Sequence, residues 1–438
     1  MRIDELNVKN FKGFNSQSFR FHPRFNLLIG GNGTGKTAVL DALSVALGSW
    51  FLGLRGFDTR HIRQSEVRLL QFGEVDPNLG ERSPVHWEQQ FPSTIEAVGQ
   101  VMERDISWLR ALNGQKSRTT WVEAKSIKTL SSQAADAIRG GEPVALPLIS
   151  YYGTGRLWDV PNEQPGSSKY PASKEQTSRL SAYRTSVDPR LSVSEIVRWI
   201  TDQTYIKLQR GVLPPLLKVV RQAMIQCLEG GEDLFYSVET KEIHIQLKGA
   251  GYLPFGSLSD GQRAMLAMVA DMARKAAILN PHLGERALQE TRGVVLIDEL
   301  DLHLHPRWQR HVIRDLMTVF PGVQFIATTH SPFLVQSLDD AGMLLPLEGE
   351  TTASLGNLGI ETIAAEVMGV GNPEASPHYW QMLEVAKEYL AELDEAASSP
   401  RERLETYKKR LAERLAPFAH NPAFQAVLEL ERAARLGE

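Results

Sequence analysis

The stretch Gly30-Gly31-Asn32-Gly33-Thr34-Gly35-Lys36-Thr37 constrains this chain more than any other. It fits the pattern G-x-x-x-x-G-K-[ST], and it lies in the context that gives the pattern meaning. Phe25 to Ile29 reads as a buried strand running into the loop, and Val39, Leu40, Leu43 and Leu47 then recur at helical spacing. Strand, glycine loop and helix in that order make a phosphate cradle. The glycines let consecutive backbone N–H groups turn inward, the helix offers the positive end of its dipole, Lys36 adds a cation and Thr37 a hydroxyl for Mg²⁺.

Three further motifs follow in a fixed order. Gly293-Val294-Val295-Leu296-Ile297-Asp298-Glu299 is an apolar strand ending in two carboxylates. That placement puts Asp298 near a metal and leaves Glu299 to polarise an attacking water. Upstream, Leu258-Ser259-Asp260-Gly261-Gln262 opens a helix, where Ser259 can cap the first turn or reach a phosphate and Gly261 permits close backbone approach. Downstream, the strand Val323 to Thr328 meets Thr329-His330-Ser331-Pro332.

Composition removes several alternatives. Lys+Arg number 48 against Asp+Glu 52 over 438 residues, a formal net charge of −4, which disfavours a surface built wholly for nucleic acid. Cys227 is the single cysteine, so the chain alone builds neither a disulfide framework nor a cysteine zinc module, and it reads as a small buried hydrophobe. The best apolar stretch, Ala264 to Leu279, is broken by Asp271, Arg274 and Lys275, so no membrane span is expected. His303 and His305 beside Asp301 invite a metal reading, but capping of the helix from Pro306 accounts for them more simply.

Elsewhere, Ile3 to Phe21 suits two short strands around Lys12-Gly13, and Pro161 to Ser186 suits an exposed loop. Leu191 to Leu228 reads as helical, as does Pro306 to Phe320. Beyond Glu361, one helix carries Trp380, Leu383, Ala386 and Leu390 and another Leu404, Leu411 and Leu415. The basic stretch Arg55, Arg60, His61, Arg63 and Arg68 reads first as solvated charge and second as a phosphate-contacting strip.

The order phosphate loop, Leu258-to-Gln262 segment, acidic strand, His330 resembles that of ABC ATPases, whose signature is LSGGQ; Asp260 departs from that signature. The Leu302-His303-Leu304-His305-Pro306 run and Asn10-Phe11-Lys12-Gly13-Phe14 resemble the RecF-, SMC- and OLD-like branch. With Pro147-to-Trp158, Ile360-to-Ile363 and Val367-to-Val370, the chain resembles the bacterial predicted ATP-binding proteins involved in virulence, and is similar to PtuA-type ATPases of Septu and retron phage-defence systems. The resemblance implies an α/β P-loop NTPase of ABC type with a mixed sheet, an inserted α+β lobe and a helical C-terminal tail. The expected division is residues 1–50 and 231–345 as two halves of the ATPase head, 51–230 as the inserted lobe and 346–438 as the tail.

It further implies ATP and Mg²⁺ as cofactors, with Thr37 and Asp298 on the metal and Glu299 and His330 in catalysis. Lys12, Gly30, Gly31, Asn32, Gly33, Thr34, Gly35, Lys36, Thr37, Ser259, Asp260, Gly261, Gln262 and Asp301 would contact nucleotide. In such ATPases the signature of one subunit completes the site of another, so a head-to-tail homodimer is implied, with Asp301 crossing the interface. A cytoplasmic switch acting on a separate effector protein follows, with an ATP-gated DNA clamp as the alternative and no membrane partner. Gln89, Gln90 and Gln133 are candidates for a metal-linking glutamine. The tail lacks an acidic D-x-D cluster, which argues against a nuclease within this chain.

Overall fold

The computed structural model describes residues 1–72, 86–157, 178–191, 193–249, 251–348, 358–371 and 377–397, with residues 426, 428 and 430. It divides into two units, Met1–Ile363 and Ala364–Glu438. The first unit opens with β1 (Arg2–Phe11), β2 (Phe14–Arg20) and β3 (Phe25–Ile29), then the glycine loop and α1 (Lys36–Gly48). After β4 (Leu69–Phe72) and β5 (His86–Gln89) come β6 (Ser93–Val101), β7 (Arg104–Leu112), α2 (Lys125–Arg139) and β8 (Leu148–Tyr152). Next are α3 (Val193–Arg210), α4 (Pro215–Gln226), β9 (Gly231–Ser237), β10 (Glu242–Leu247), β11 (Gly251–Pro254) and α5 (Asp260–Leu279). The unit closes with α6 (Ala287–Glu290), β12 (Gly293–Ile297), α7 (Pro306–Gln309), α8 (Val312–Val319), β13 (Val323–Thr328), α9 (Pro332–Gln336), β14 (Leu344–Pro346) and α10 (Ile360–Thr362).

The central sheet has the order β14-β3-β13-β12-β8, and every pairing in it is parallel. Parallel strands are covered on both faces, which is why β3, β8, β12 and β13 are buried along their whole length. A second, antiparallel sheet runs β2-β1-β6-β7. Helix α1 packs against strands of both sheets and is buried nearly all round, so its apolar residues do not confine themselves to one stripe. Trp108 on β7 ties the second sheet to it, donating to Ala46 O at 2.9 Å. The expected α/β head thus combines a parallel and an antiparallel sheet, with α1 in contact with both.

Strands from within residues 51–230 pair into both sheets of the head. Strands β6 and β7 complete the sheet begun by β1, with Val8 opposite Ile95, and β8 is an edge strand of the central sheet, with Leu148 opposite Gly293. Helices α3 and α4 lie in the expected lobe, and the antiparallel sheet β11-β10-β9 follows it at residues 231–254. The Leu191-to-Leu228 segment is two helices, parted by Gly211 to Pro214, and the Pro306-to-Phe320 segment is broken at Arg310-His311. Much of Pro161 to Ser186 lies outside the described residues. In its described end Ser178, Arg184 and Thr185 are exposed, whereas Tyr183 is buried and donates to Pro147 O at 2.7 Å. Cys227 is buried, in keeping with a packing role.

In the second unit, α11 (Pro377–Ala397) buries Tyr389 and Leu393 with Leu428, and Ala386 and Leu390 pack against them. Leu404, Leu411 and Leu415 lie outside the described residues. Among the described residues no helix is long and apolar enough to cross a membrane.

Candidate nucleotide site

The register of the parallel sheet brings the separate motifs to one edge. Ile297 pairs with Tyr152 on one side and Ala327 on the other, and Thr328 pairs with Leu28. The loops leaving β3, β13, β12 and β8 thus emerge side by side at the carboxyl ends of the strands, where open parallel sheets bind ligands.

The glycine loop is built for close approach. Gly33 and Gly35 have φ of +85° and +101°, which L side chains rarely adopt. At Gly35 a Cβ would also fall 2.7 Å from Phe14 Cζ, so the β1–β2 hairpin helps to shape the loop. Helix α1 begins at Gly35 with no side-chain cap and no acidic residue in its first turn. Its leading N–H groups are therefore available to an anion. Lys36 Nζ donates to Gly30 O at 2.7 Å and Gly31 O at 2.9 Å. Burial lowers the Lys36 pKa, against the opposing pull of Asp298, Glu299, Glu348 and Asp301.

Opposite the loop, Thr37 Oγ1 lies 3.3 Å from Asp298 Oδ1 and 3.1 Å from Oδ2. Thr328 Oγ1 donates to Asp298 Oδ1 at 2.6 Å and accepts from the Glu299 backbone N–H at 2.7 Å. One hydroxyl on β13 thus holds the Asp298 carboxylate and the Glu299 backbone just after β12. Glu299 has φ of +48°, a sparsely populated conformation that turns the chain directly after the strand. Burial is the main cause of the raised Tyr151 pKa, and Asp41 and Asp298 add to it.

The histidine loop is held through Asp301. Its Oδ1 accepts from Thr329 Oγ1 at 2.6 Å and from His330 N at 3.3 Å. Ser331 Oγ donates to Gln309 Oε1 at 2.6 Å, and Gln309 Nε2 donates to Leu304 O at 2.7 Å. Asp301 therefore has a partner within its own chain, and the His330 ring is left exposed. His305 caps α7, its Nδ1 accepting from Arg307 N at 3.2 Å. Among the described residues no group of three or more His, Cys, Asp or Glu could hold a metal ion.

At the start of α5, Ser259 and Gln262 form a reciprocal capping box, with Gln262 N donating to Ser259 Oγ at 3.3 Å and Ser259 N to Gln262 Oε1 at 3.1 Å. The departing Asp260 is exposed and ion-paired with Arg263. Gly261 is explained differently from the sequence expectation. A Cβ there would meet His303 O at 2.1 Å, so the residue must be glycine for the Asp301-to-His305 turn to pack on α5.

Other residues singled out in the sequence have partners within their own chain. Lys12 is ion-paired with Asp41 on α1. Arg60 pairs with Glu66 and lies 3.8 Å from Asp41, so it faces inward and cannot belong to a surface strip. Gln89 and Gln90 donate to the carbonyls of Gln64 and Glu88. The segment leaving β8 beside Asp298 is Gly153-Thr154-Gly155, without a glutamine.

The sequence reading missed Thr328 as the clamp on both acids, although Thr328-Thr329 adjoins His330. It also missed Glu348, whose Oε2 would lie 3.6 Å from a Cβ on Gly31. A buried network behind the site was missed too. Asp271 on α5 accepts from Tyr152 Oη at 2.8 Å and Arg274 Nη2 at 2.7 Å, and its Oδ2 lies 2.8 Å from Lys275 Nζ. Lys275 also donates to Ser150 Oγ at 3.2 Å. The Tyr152 carbonyl in turn accepts from Asp298 N at 2.8 Å, which links α5 to the acidic strand.

A phosphate loop, an acidic strand end and a histidine loop gathered over one parallel sheet, with α1 backed by an antiparallel sheet, define an ATPase of the ABC type. Comparison with known proteins narrows the class. The family described as "AAA domain, putative AbiEii toxin, Type IV TA system" matches residues 103–336, just over half of the chain, and the chain belongs to that family. An "AAA ATPase domain" model matches residues 1–64.

The Retron Ec83 probable ATPase of Escherichia coli is 26% identical over 412 residues, covering 80% of this chain and 72% of that one. The Retron Vc95 probable ATPase of Vibrio cholerae serotype O1 biovar El Tor is 23% identical over 389 residues, 77% of this chain and 72% of the relative. The Septu protein PtuA of Bacillus thuringiensis is 30% identical over 173 residues, 37% of this chain and 43% of the relative.

Proposed function

We propose that this protein is an ATP-hydrolysing switch in which two copies, head to tail, enclose two ATP molecules. The observation that carries the reading is the clamp of Thr37, Asp298 and Thr328, which sets a hydroxyl and a carboxylate face to face beside an uncapped helix N-terminus. Lys36 and the N–H groups of α1 would hold the β- and γ-phosphates. Thr37 and Asp298 offer hard oxygen donors, the set that Mg²⁺ prefers. That ion, when bound, would neutralise charge on the phosphate oxygens.

Glu299, turned out of β12 by its backbone, would accept a proton from the attacking water, and His330 would contact the γ-phosphate. Ser259 and Asp260 are exposed, and among the described residues no hydrogen bond links them to the glycine loop of their own chain. A second copy would bring its capped helix onto that loop. The likeness to retron ATPases and PtuA supports a role in bacterial phage defence, in the cytoplasm, with a separate effector protein held or released according to nucleotide state.

The test is Glu299→Gln. It removes the base and leaves the cradle, so the variant should accumulate as an ATP-bound dimer with turnover lost. A variant that hydrolyses ATP at the wild-type rate and stays monomeric would overturn the assignment.

A further inference from the structure

On the first unit, the structure sews two basic segments that are distant in sequence into one surface. Ile62 N donates to Thr119 Oγ1 at 3.0 Å, and Gln64 Nε2 donates to Gln115 O at 2.8 Å. Arg63 is thereby set beside Lys116 and Arg118, and the chain continues through Trp121 into Lys125 and Lys128 at the start of α2. Arg63, Lys116, Arg118 and Lys125 are exposed, Lys128 is half-buried, and none of them has an ion-pair partner among the described residues. They gather on one surface of a chain whose formal net charge is −4. The acids in the same segments are Asp58, Glu66 and Glu123, and Glu66 is buried and paired with Arg60.

Two observations give the patch direction. Trp121 is 47% exposed and Val122 68%, a large apolar surface set among cations, and Lys128 Nζ sits 3.9 Å from the Trp121 ring centroid. Beneath the patch, Arg110 is wholly buried with no carboxylate partner. Its guanidinium donates to Thr120 O at 2.8 Å, Thr59 Oγ1 at 3.2 Å and Ser49 Oγ at 3.5 Å, and Nη2 lies 3.4 Å from His61 Nδ1. Burial pushes its pKa down to about 10, so it stays charged at neutral pH. His61 is lowered as well, first by its own burial and then by Arg110, so the neutral ring serves as acceptor. A buried cation without a counter-charge is costly unless something offsets it, and here it adds positive potential under a surface already rich in unpaired cations.

We infer that this surface binds single-stranded nucleic acid, with Lys116, Arg118, Lys125 and Arg63 following the phosphates and Trp121 stacking on an unpaired base. An exposed indole framed by cations suits an unstacked base, which a duplex does not present. None of these residues lies in the phosphate site, so the inference stands or falls apart from the ATPase reading.

The experiment measures anisotropy of labelled oligo(dT) and of a matched duplex against the full chain across a salt series. Lys116→Ala/Arg118→Ala/Lys125→Ala should flatten the log–log salt slope for the single strand by about 0.7 per cation removed. Trp121→Ala should weaken oligo(dT) binding about 5- to 100-fold, and Trp121→Phe should retain most of it. Basal ATPase rate and thermal midpoint should match the wild type in all three variants. Absence of oligo(dT) binding by the wild type overturns the inference. So does preference for the duplex with no effect of Trp121→Ala, which would mark a plain phosphate surface, and so does equal competition by polyglutamate, which would mark an acidic protein partner.

Discussion

Replacing Asp271 by Asn tests how the capped helix α5 is held to the acidic strand. The carboxylate is 3% exposed and faces Tyr152 Oη, Arg274 Nη2 and Lys275 Nζ at 2.7–2.8 Å. Asn keeps the volume but removes the charge, leaving Lys275, itself 2% exposed, as a buried cation without a counter-ion. Breaking a buried pair in this way costs about 3–5 kcal/mol. With an unfolding entropy of about 2.1 cal/mol/K per residue, 4 kcal/mol spread over the Met1–Ile363 unit lowers its midpoint by about 5 °C. Differential scanning calorimetry reads that shift. Adding Lys275→Met should recover much of it, because the orphaned charge is then gone.

The same pair predicts a pH dependence. Despite a burial penalty, Lys275 and Arg274 hold the Asp271 carboxyl well below the usual carboxylate range. A group whose pKa is depressed on folding contributes stability above its unfolded value, about 3.9, and loses that contribution as pH falls toward the folded value. The wild type should therefore lose stability below about pH 4 more steeply than Asp271→Asn. A midpoint for Asp271→Asn within a degree of the wild type, with unchanged acid sensitivity, would refute the claim that this network joins α5 to the sheet.

Other expectations follow from the same geometry. Lys36→Ala should abolish detectable binding of a fluorescent ATP analogue while leaving the thermal midpoint nearly unchanged, since Lys36 bonds only to loop carbonyls. Gly261→Ala would place a methyl 2.1 Å from His303 O, so it should lower both stability and ATPase rate, measured by thermal melting and phosphate release. Thr328→Val removes the hydroxyl shared by Asp298 and the Glu299 backbone, and should cut turnover at least about tenfold with a modest stability loss of about 1–3 kcal/mol.

The parts of the site that lie within a single segment were legible in the sequence. The glycine loop, the acidic strand end and the capping box at Ser259 are each written in a few consecutive residues. What escaped was long-range. The membership of β8 in the central sheet depends on pairing with β12, about 145 residues away, and nothing in Leu148 to Tyr152 names that partner. Asp271, Arg274 and Lys275 looked like interruptions of an apolar helix because their counterparts, Tyr152 and Ser150, sit on another strand. Arg60 was misread as part of a surface strip for a similar reason, since charge in a sequence does not reveal whether Glu66 waits opposite. The packing of Gly261 on the His303 carbonyl was also illegible, because that carbonyl reaches it only after the chain has folded back.

Whether the capped helix of one copy completes the phosphate loop of another is decided by mixing two inactive variants, Lys36→Ala and Ser259→Arg. The first has a dead loop and an intact helix; the second has the reverse. If the helix acts across a dimer, a mixed dimer holds one intact site, and an equal mixture should recover about a quarter of the wild-type ATPase rate if dimers form at random and each site works independently. Recovery to that level is the predicted result. A mixture as inactive as its parts, with mixed dimers shown to be present, would contradict the head-to-tail ATPase.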